Sequence, residues 1–356
     1  MTSRASPAEL PDGWATSAPE AVGLDGGRLG AVVDWLDRLP GANLHSLLVA
    51  RRGTLAFEHY RKGTDEGGCD WPPDAQPGVA VRHDLRSATK SVTGLLAGIA
   101  LERKHLPGLD ARVLDYFPEY ADLRTPEKAR ITVRHLLTMS AGLDWDENVP
   151  ITDPRHGEMR MWRTADRLRV ALEPPMVAAP GENWNYSGGC SELLGALLRK
   201  ATGEPLDAFA RKTLFAPLGI DDVVWVQHAD GSPSASGGLH MRSRDLAKIG
   251  QLVIARGQWS GRALVPARWI EESIAPQIGA SDRLFFYGYH WWLGRSLIDR
   301  KELTWASAVG FGGQRLYVVP SLDLVVTVTA GHYADTMQGW LPLVILNRFV
   351  LPAVRA

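Results

Sequence analysis

Cysteine is nearly absent. The 356 residues hold two, Cys69 and Cys190. They lie far apart and in no metal-ligand spacing, which excludes a disulfide scaffold and a thiolate zinc site. Charge of one sign is also missing: 39 Lys and Arg face 40 Asp and Glu, for a formal net charge of -1. No long-range field therefore recruits nucleic acid or an anionic membrane. No basic run is interleaved with aromatics. No apolar run is long enough to span a bilayer. Met1 to Pro7 lacks the apolar core of a signal peptide. The histidines at 135, 240, 290 and 332 show no metal-ligand spacing. No phosphate-binding glycine motif and no Gly-x-Ser-x-Gly elbow is present. These absences lead us to expect a cytoplasmic, reduced protein with a small-molecule substrate. We expect no nucleic-acid or membrane partner, no metal and no cofactor.

What is present is ordinary globular composition, with 45% hydrophobic and 22% charged residues. The length suits one large core or two sub-domains. Leu29, Val32, Val33, Leu36 and Leu39 recur at helical spacing. Two apolar runs, 46–52 and 54–60, flank Gly53 and predict a β-hairpin. Residues 63–80 read as a loop. A long irregular section, Asp144 to Pro180, reads as a lid or binding loop. Helices are expected over 191–202, 206–214, 244–255, 266–273 and 340–349. Strands are expected over 289–293, 316–319 and 324–329, the last two forming a second hairpin. Strands thus sit at both chain ends and helices between them. The fold class is α/β: an antiparallel sheet built from both ends with flanking helices, plus an all-helical lobe from the middle. The sheet lobe would take 1–85 and 245–356, the helical lobe 86–244, with the site between them.

One stretch carries candidate chemistry. Arg86 to Ala100 predicts an amphipathic helix with Ser87 in its first turn. Lys90, three residues on, shares a face with Ser87. That face is partly apolar, so Lys90 should point inward, where an ammonium needs a partner. Serine, inward amine and helix N-terminus together read as an activated nucleophile. The same pattern also fits a helix-capping serine and a snorkelling lysine.

Other stretches decide between these. Ser87-Ala88-Thr89-Lys90 is followed by Thr132-Val133-Arg134-His135-Leu136-Leu137-Thr138-Met139-Ser140-Ala141-Gly142-Leu143. Next come Pro180-Gly181 through Tyr186-Ser187, the helix of Leu193-Leu194-Gly195, and Phe311-Gly312-Gly313-Gln314 before the last hairpin. In order and spacing these resemble the serine β-lactamase-like superfamily: class C β-lactamases, DD-peptidases, esterases and aminohexanoate-oligomer hydrolases. The resemblance runs from about Val22 to Gly331. It implies that Ser87 is acylated, that Lys90 is its neighbouring amine, and that Tyr186 stands at the tyrosine of a Tyr-x-Asn motif. It implies an oxyanion hole from the backbone amides of Ser87 and Phe311, with Gly310 and Gly313 admitting close approach of substrate. Whether Lys90 or Tyr186 holds the proton is a coupled question left open. Trp145, Trp184 and Gly188 are expected to line the substrate site, and Trp162 falls near it. Asp144-Trp145-Asp146-Glu147 reads either as a solvated acidic loop or as a binder of a metal or substrate amine.

The chain departs from the family at two points. Gly188 stands where lactamases carry asparagine. Ala308 stands where they carry the lysine or histidine that holds a substrate carboxylate. The reading is a serine hydrolase of a small ester or linear amide. Its rivals are a β-lactamase or DD-peptidase, and a catalytically silent binding protein on the same fold.

Overall fold

The structure, a computed structural model, describes residues 6–65, 78–280 and 284–355. Its strands are β1 (Ala15–Thr16), β2 (Leu44–Arg51), β3 (Thr54–Tyr60), β4 (Arg82–Asp84), β5 (Val223–Trp225), β6 (Leu239–Arg242), β7 (Gln258–Trp259), β8 (Arg262–Ala263), β9 (Ile278–Gly279), β10 (Phe286–Tyr287), β11 (Trp292–Ile298), β12 (Lys301–Gly310), β13 (Gln314–Val319) and β14 (Leu324–Ala330). Nine of them form one sheet in the order β1-β3-β2-β14-β13-β12-β11-β10-β9. All neighbours pair antiparallel except β1 with β3.

The two chain ends meet at β2 and β14, where Val49 faces Val326 and Leu47 faces Val328. Side chains alternate across a strand, and here both faces are apolar. Leu47, Val49, Val326 and Val328 bury against Leu29, Val32, Val33 and Leu36 of the helix Gly26–Arg38, and against Leu341, Ile345 and Val350 near the C-terminus. Leu48, Ala50, Leu316 and Val325 bury on the opposite face with Leu246, Ile249 and Leu252 of the helix Ser243–Ile254. Alternation thus turns one sheet into the middle layer between helices.

Several expectations change. The helix after Ser87 is not amphipathic. Every residue from Thr89 to Ala100 is buried, so it is a core helix enclosed on all sides. Ser87 sits one step earlier, in a 3₁₀ turn over Arg86–Ala88. The middle of the chain is not all helical: β4, β6 and β5 make a separate three-stranded sheet. The strand expected over 289–293 begins only at Trp292. Before it, His290 turns with φ 61° and accepts a hydrogen bond from Ser91 at its carbonyl. The irregular section 144–180 contains two short helices, Gly157–Trp162 and Arg167–Leu172. Cys69 and most of the expected 63–80 loop lie outside the described residues, among which Cys190 is free and buried.

Candidate active site

The turn bearing Ser87 is held from both sides. Leu85 N donates to Leu239 O at 2.9 Å, which fixes the end of β4. Arg86 then takes φ 49°, a left-handed conformation unusual for a side chain of its kind. Asp84 supports it by accepting from Arg86 N at 2.8 Å and pairing with its guanidinium at 2.9 Å. The kink delivers Ser87, half-buried, to the mouth of the core helix.

Lys90 is 1% exposed. Its Nζ donates to Ser87 Oγ at 3.0 Å and to Ser236 O at 2.8 Å, and lies 5.0 Å from the centre of the Tyr186 ring. Burial alone pushes this ammonium down. The Tyr186 oxygen, Glu158 and Glu147 push it up and prevail, so the amine is held above its ordinary range. Tyr186 arrives from the turn before the helix Gly188–Thr202. Asn185 pins that turn, its side chain donating to Trp145 O at 2.8 Å and its amide to Met139 O at 2.7 Å. The Tyr186 phenol is lifted above its ordinary value, chiefly by burial and against the pull of Lys90 and Ser87.

β12 closes the site from the other side. A Cβ on Gly310 would fall 2.2 Å from Leu85 O, so only glycine lets this strand come so near the turn that carries Ser87. Phe311 follows directly. The aromatic ring of Tyr333 covers the next residue, Gly312.

These residues open on a cleft of about 1410 Å³ lined by Ser87, Tyr186, Trp184, Gly310 and Phe311 among others. Trp162 and Trp292 also line it. Trp292 sits 5.3 Å from Trp184 and 5.8 Å from Tyr186, ring centre to ring centre. Trp145 and Gly188 are not brought to the lining. Trp145 is buried against Gly157 and Gly189, and its Nε1 donates to Glu147 Oε1 at 2.6 Å. Gly188 N donates to the same oxygen. Both residues therefore donate to a carboxylate that lines the cleft. Gly313, φ 99°, belongs to the turn between β12 and β13, outside the lining.

Glu158, which no motif in the sequence singles out, lines the cleft beside Glu147. Burial, then the charge of Glu147, raise its carboxyl to about 6. A carboxyl with a raised folded pKa prefers the proton when folded. It is harmless below about pH 4 and destabilises as pH climbs toward 6, by about 1–2 kcal/mol once fully ionised. Glu158→Gln should therefore raise the melting temperature at pH 8 and change it little at pH 4. Equal shifts at both pH values would contradict this.

Among the described residues two arginines line the cleft, and both are engaged. Arg86 pairs with Asp84 and lies 5.0 Å over the Tyr333 ring. Arg315 donates to the carbonyls of Gly310, Gln314 and Gln338. Ala308 is buried in β12. Among the described residues no group of His, Cys, Asp and Glu is arranged to hold a metal, and no helix is long and apolar enough to cross a membrane.

A nine-stranded sheet between helices, with a serine and a buried lysine three residues apart at a cleft, defines the class of serine hydrolases with a Ser-x-x-Lys helix. The sequence pattern described as Beta-lactamase matches residues 29–336, and the chain belongs to that family. It is 28% identical over 289 residues to esterase EstB of Burkholderia gladioli, covering 74% of this chain and 68% of that protein. It is 25% identical over 326 residues to the 6-aminohexanoate-dimer hydrolase of Paenarthrobacter ureafaciens, covering 86% and 77%. Its fold matches the octameric penicillin-binding protein homologue from Pyrococcus abyssi with a TM-score of 0.67 at 20% identity, over 91% of this chain and 77% of that one.

Proposed function

We propose that the chain hydrolyses small esters, and linear amides of similar size, through an acyl-enzyme on Ser87. The observation that carries this is the 3.0 Å contact between a buried Lys90 ammonium and Ser87 Oγ, with the Tyr186 ring 5.0 Å from the same ammonium. Relatives named an esterase and an aminohexanoate-dimer hydrolase support it. The cleft would lie between a sheet lobe of 1–85 and 245–356 and a helical lobe of 86–244. A small-molecule substrate fits its size, and the scarcity of cysteine supports a reduced, cytoplasmic setting.

Roles follow from the protonation states. An ammonium already donating to Ser87 Oγ cannot take the serine proton, so the acceptor is the Tyr186 oxygen in its ionised form, which burial disfavours and the Lys90 charge favours. Ser87 Oγ bonds to the carbonyl carbon as Tyr186 receives that proton and a proton is returned to the leaving oxygen. Lys90 keeps positive charge against the phenol oxygen throughout. The developing oxyanion points at the amides of Ser87 and Phe311. Water, deprotonated through Tyr186, then splits the acyl-enzyme, and Ser87 regains its proton. Trp162, Trp184 and Trp292 give the substrate apolar walls.

The substrate class can be tested directly. A lactam carboxylate needs a cationic partner, and a charge-assisted hydrogen bond contributes about 1.5–3 kcal/mol. Ala308 offers none, and Arg86 and Arg315 are committed elsewhere. Arg242 is paired with Asp245 at 2.7 Å and Asp221 at 2.6 Å. We expect kcat/KM for p-nitrophenyl butyrate to exceed that for nitrocefin by at least about tenfold. A nitrocefin value equal to or above the ester value would replace this reading with a lactamase.

A further inference from the structure

We propose that Glu192 is a positioning residue for the Lys90 amine, holding the 234–236 segment so that the Ser236 carbonyl seats Nζ. This rests on the catalytic reading of Ser87 and Lys90 given above.

Glu192 is 1% exposed and lies in the first half of the helix Gly188–Thr202, six residues beyond Tyr186. Its Oε1 accepts three hydrogen bonds from one segment: Ser236 N at 3.0 Å, Ser236 Oγ at 2.8 Å and Ser234 Oγ at 2.8 Å. Its Oε2 meets Arg167 Nε at 3.2 Å and His228 Nε2 at 3.1 Å. The carbonyl of the same residue accepts from Lys90 at 2.8 Å. One residue therefore joins carboxylate to ammonium, with its amide on Glu192 and its carbonyl on Lys90.

The segment is clamped between two helices. Gly195, one helical turn from Glu192, would place a Cβ 2.4 Å from Ala235 Cβ. Any larger residue there would push the segment away from the helix. On the far side, Thr93 Oγ1 donates to Ala235 O at 2.9 Å, and Leu239 N donates to Thr89 Oγ1 at 3.3 Å. Thr89 and Thr93 flank Lys90 on the core helix. The carbonyl's place relative to Nζ is thus set by both helices, and Glu192 supplies the polar anchor on one of them.

Lys90 needs that seat. A buried ammonium has three N–H groups, and each needs an acceptor. Ser87 Oγ and Ser236 O take two, and the third faces the Tyr186 side, its ring centre 5.0 Å from Nζ. If the Ser236 carbonyl drifts, Nζ must follow it off Ser87 or stay with an N–H left unmet, and either outcome disturbs the amine beside Ser87. Small displacements of this kind cost rate rather than binding. A purely structural Glu192 would instead cost folded protein and leave each folded molecule fully active.

The test uses the full chain with Glu192→Gln and Glu192→Asp beside wild type and Lys90→Ala. Turnover of p-nitrophenyl butyrate and the rate of Ser87 phosphonylation by a fluorophosphonate are measured per folded molecule, counted from thermal melts. Glu192→Gln should lower both rates by on the order of 10- to 100-fold with KM little changed. Glu192→Asp, which keeps the charge on a shorter arm, should recover part of the loss. If Glu192→Gln does not fold, Glu192→Asp carries the test, with a smaller fall in both rates. Wild-type rates per folded molecule in the folded variants would overturn the positioning role. Wild-type turnover in Lys90→Ala would overturn the catalytic reading itself, and this proposal with it. Loss in Lys90→Ala with no loss in the Glu192 variants would overturn the positioning role alone.

Discussion

Ser87→Ala is expected to lower kcat for p-nitrophenyl butyrate by on the order of 10⁴-fold or more, while KM moves little. The substitution removes the atom that forms the acyl bond, and nothing nearby can replace it. Lys90 is fully committed as a hydrogen-bond donor, and Cys190 is buried, its thiol pushed up by burial to about 11. Substrate binding should persist, because the walls built by Trp162, Trp184 and Trp292 are untouched. The fold should persist too, since Ser87 is half-buried and contributes one small side chain to the turn. Activity within tenfold of wild type, measured on the same assay, would remove Ser87 from the chemistry.

The second large effect concerns Lys90 and Tyr186. Each single change, Lys90→Ala or Tyr186→Phe, should cost about 10²- to 10⁴-fold in kcat, the usual yield of a positioned proton-transfer group. The double variant should cost little more than the worse single one, because the two share one task and members of a unit are non-additive. Tyr186→Phe keeps the ring against Trp292 and removes only the oxygen. Lys90→Ala is more disruptive. It also leaves Glu147 and Glu158 without the cation they face, so its melting temperature must be recorded alongside its kinetics. Losses that multiply in the double variant would mean that the two residues act independently.

The parts of this protein that repeat locally were legible in its sequence. Gly53 between two apolar runs announces the β2–β3 hairpin. The run 324–329 announces β14, and the pairing of the chain ends follows because neither edge has another partner. Ser87 and Lys90 stand out because a three-residue spacing on a helix needs no tertiary knowledge. Tyr186 was reached through resemblance to a family motif rather than through periodicity.

What stayed hidden depends on contacts across the fold. Glu192 reads as an ordinary surface acid on a helix, yet its five partners come from 167, 228, 234 and 236. No local pattern joins those positions, although three serines between 232 and 236 were a signal that a buried acceptor lay nearby. Trp145 was misplaced for the same reason. An indole beside an acidic run looks like a cleft wall, but Gly157 and Gly189 leave room for it inside. Trp292 was read only as strand, because its face is decided by where β11 begins. Arg86 gave no warning of its left-handed backbone, which Asp84 makes tenable.

The central claim is a covalent bond at one oxygen. The most direct measurement is the mass of the intact protein after treatment with a fluorophosphonate, followed by peptide mapping of the adduct. The expected result is one added phosphonyl group, mapped to Ser87, and no labelling of Ser87→Ala. Labelling of Ser87→Ala at the wild-type rate, or an adduct mapped to another residue, would contradict it.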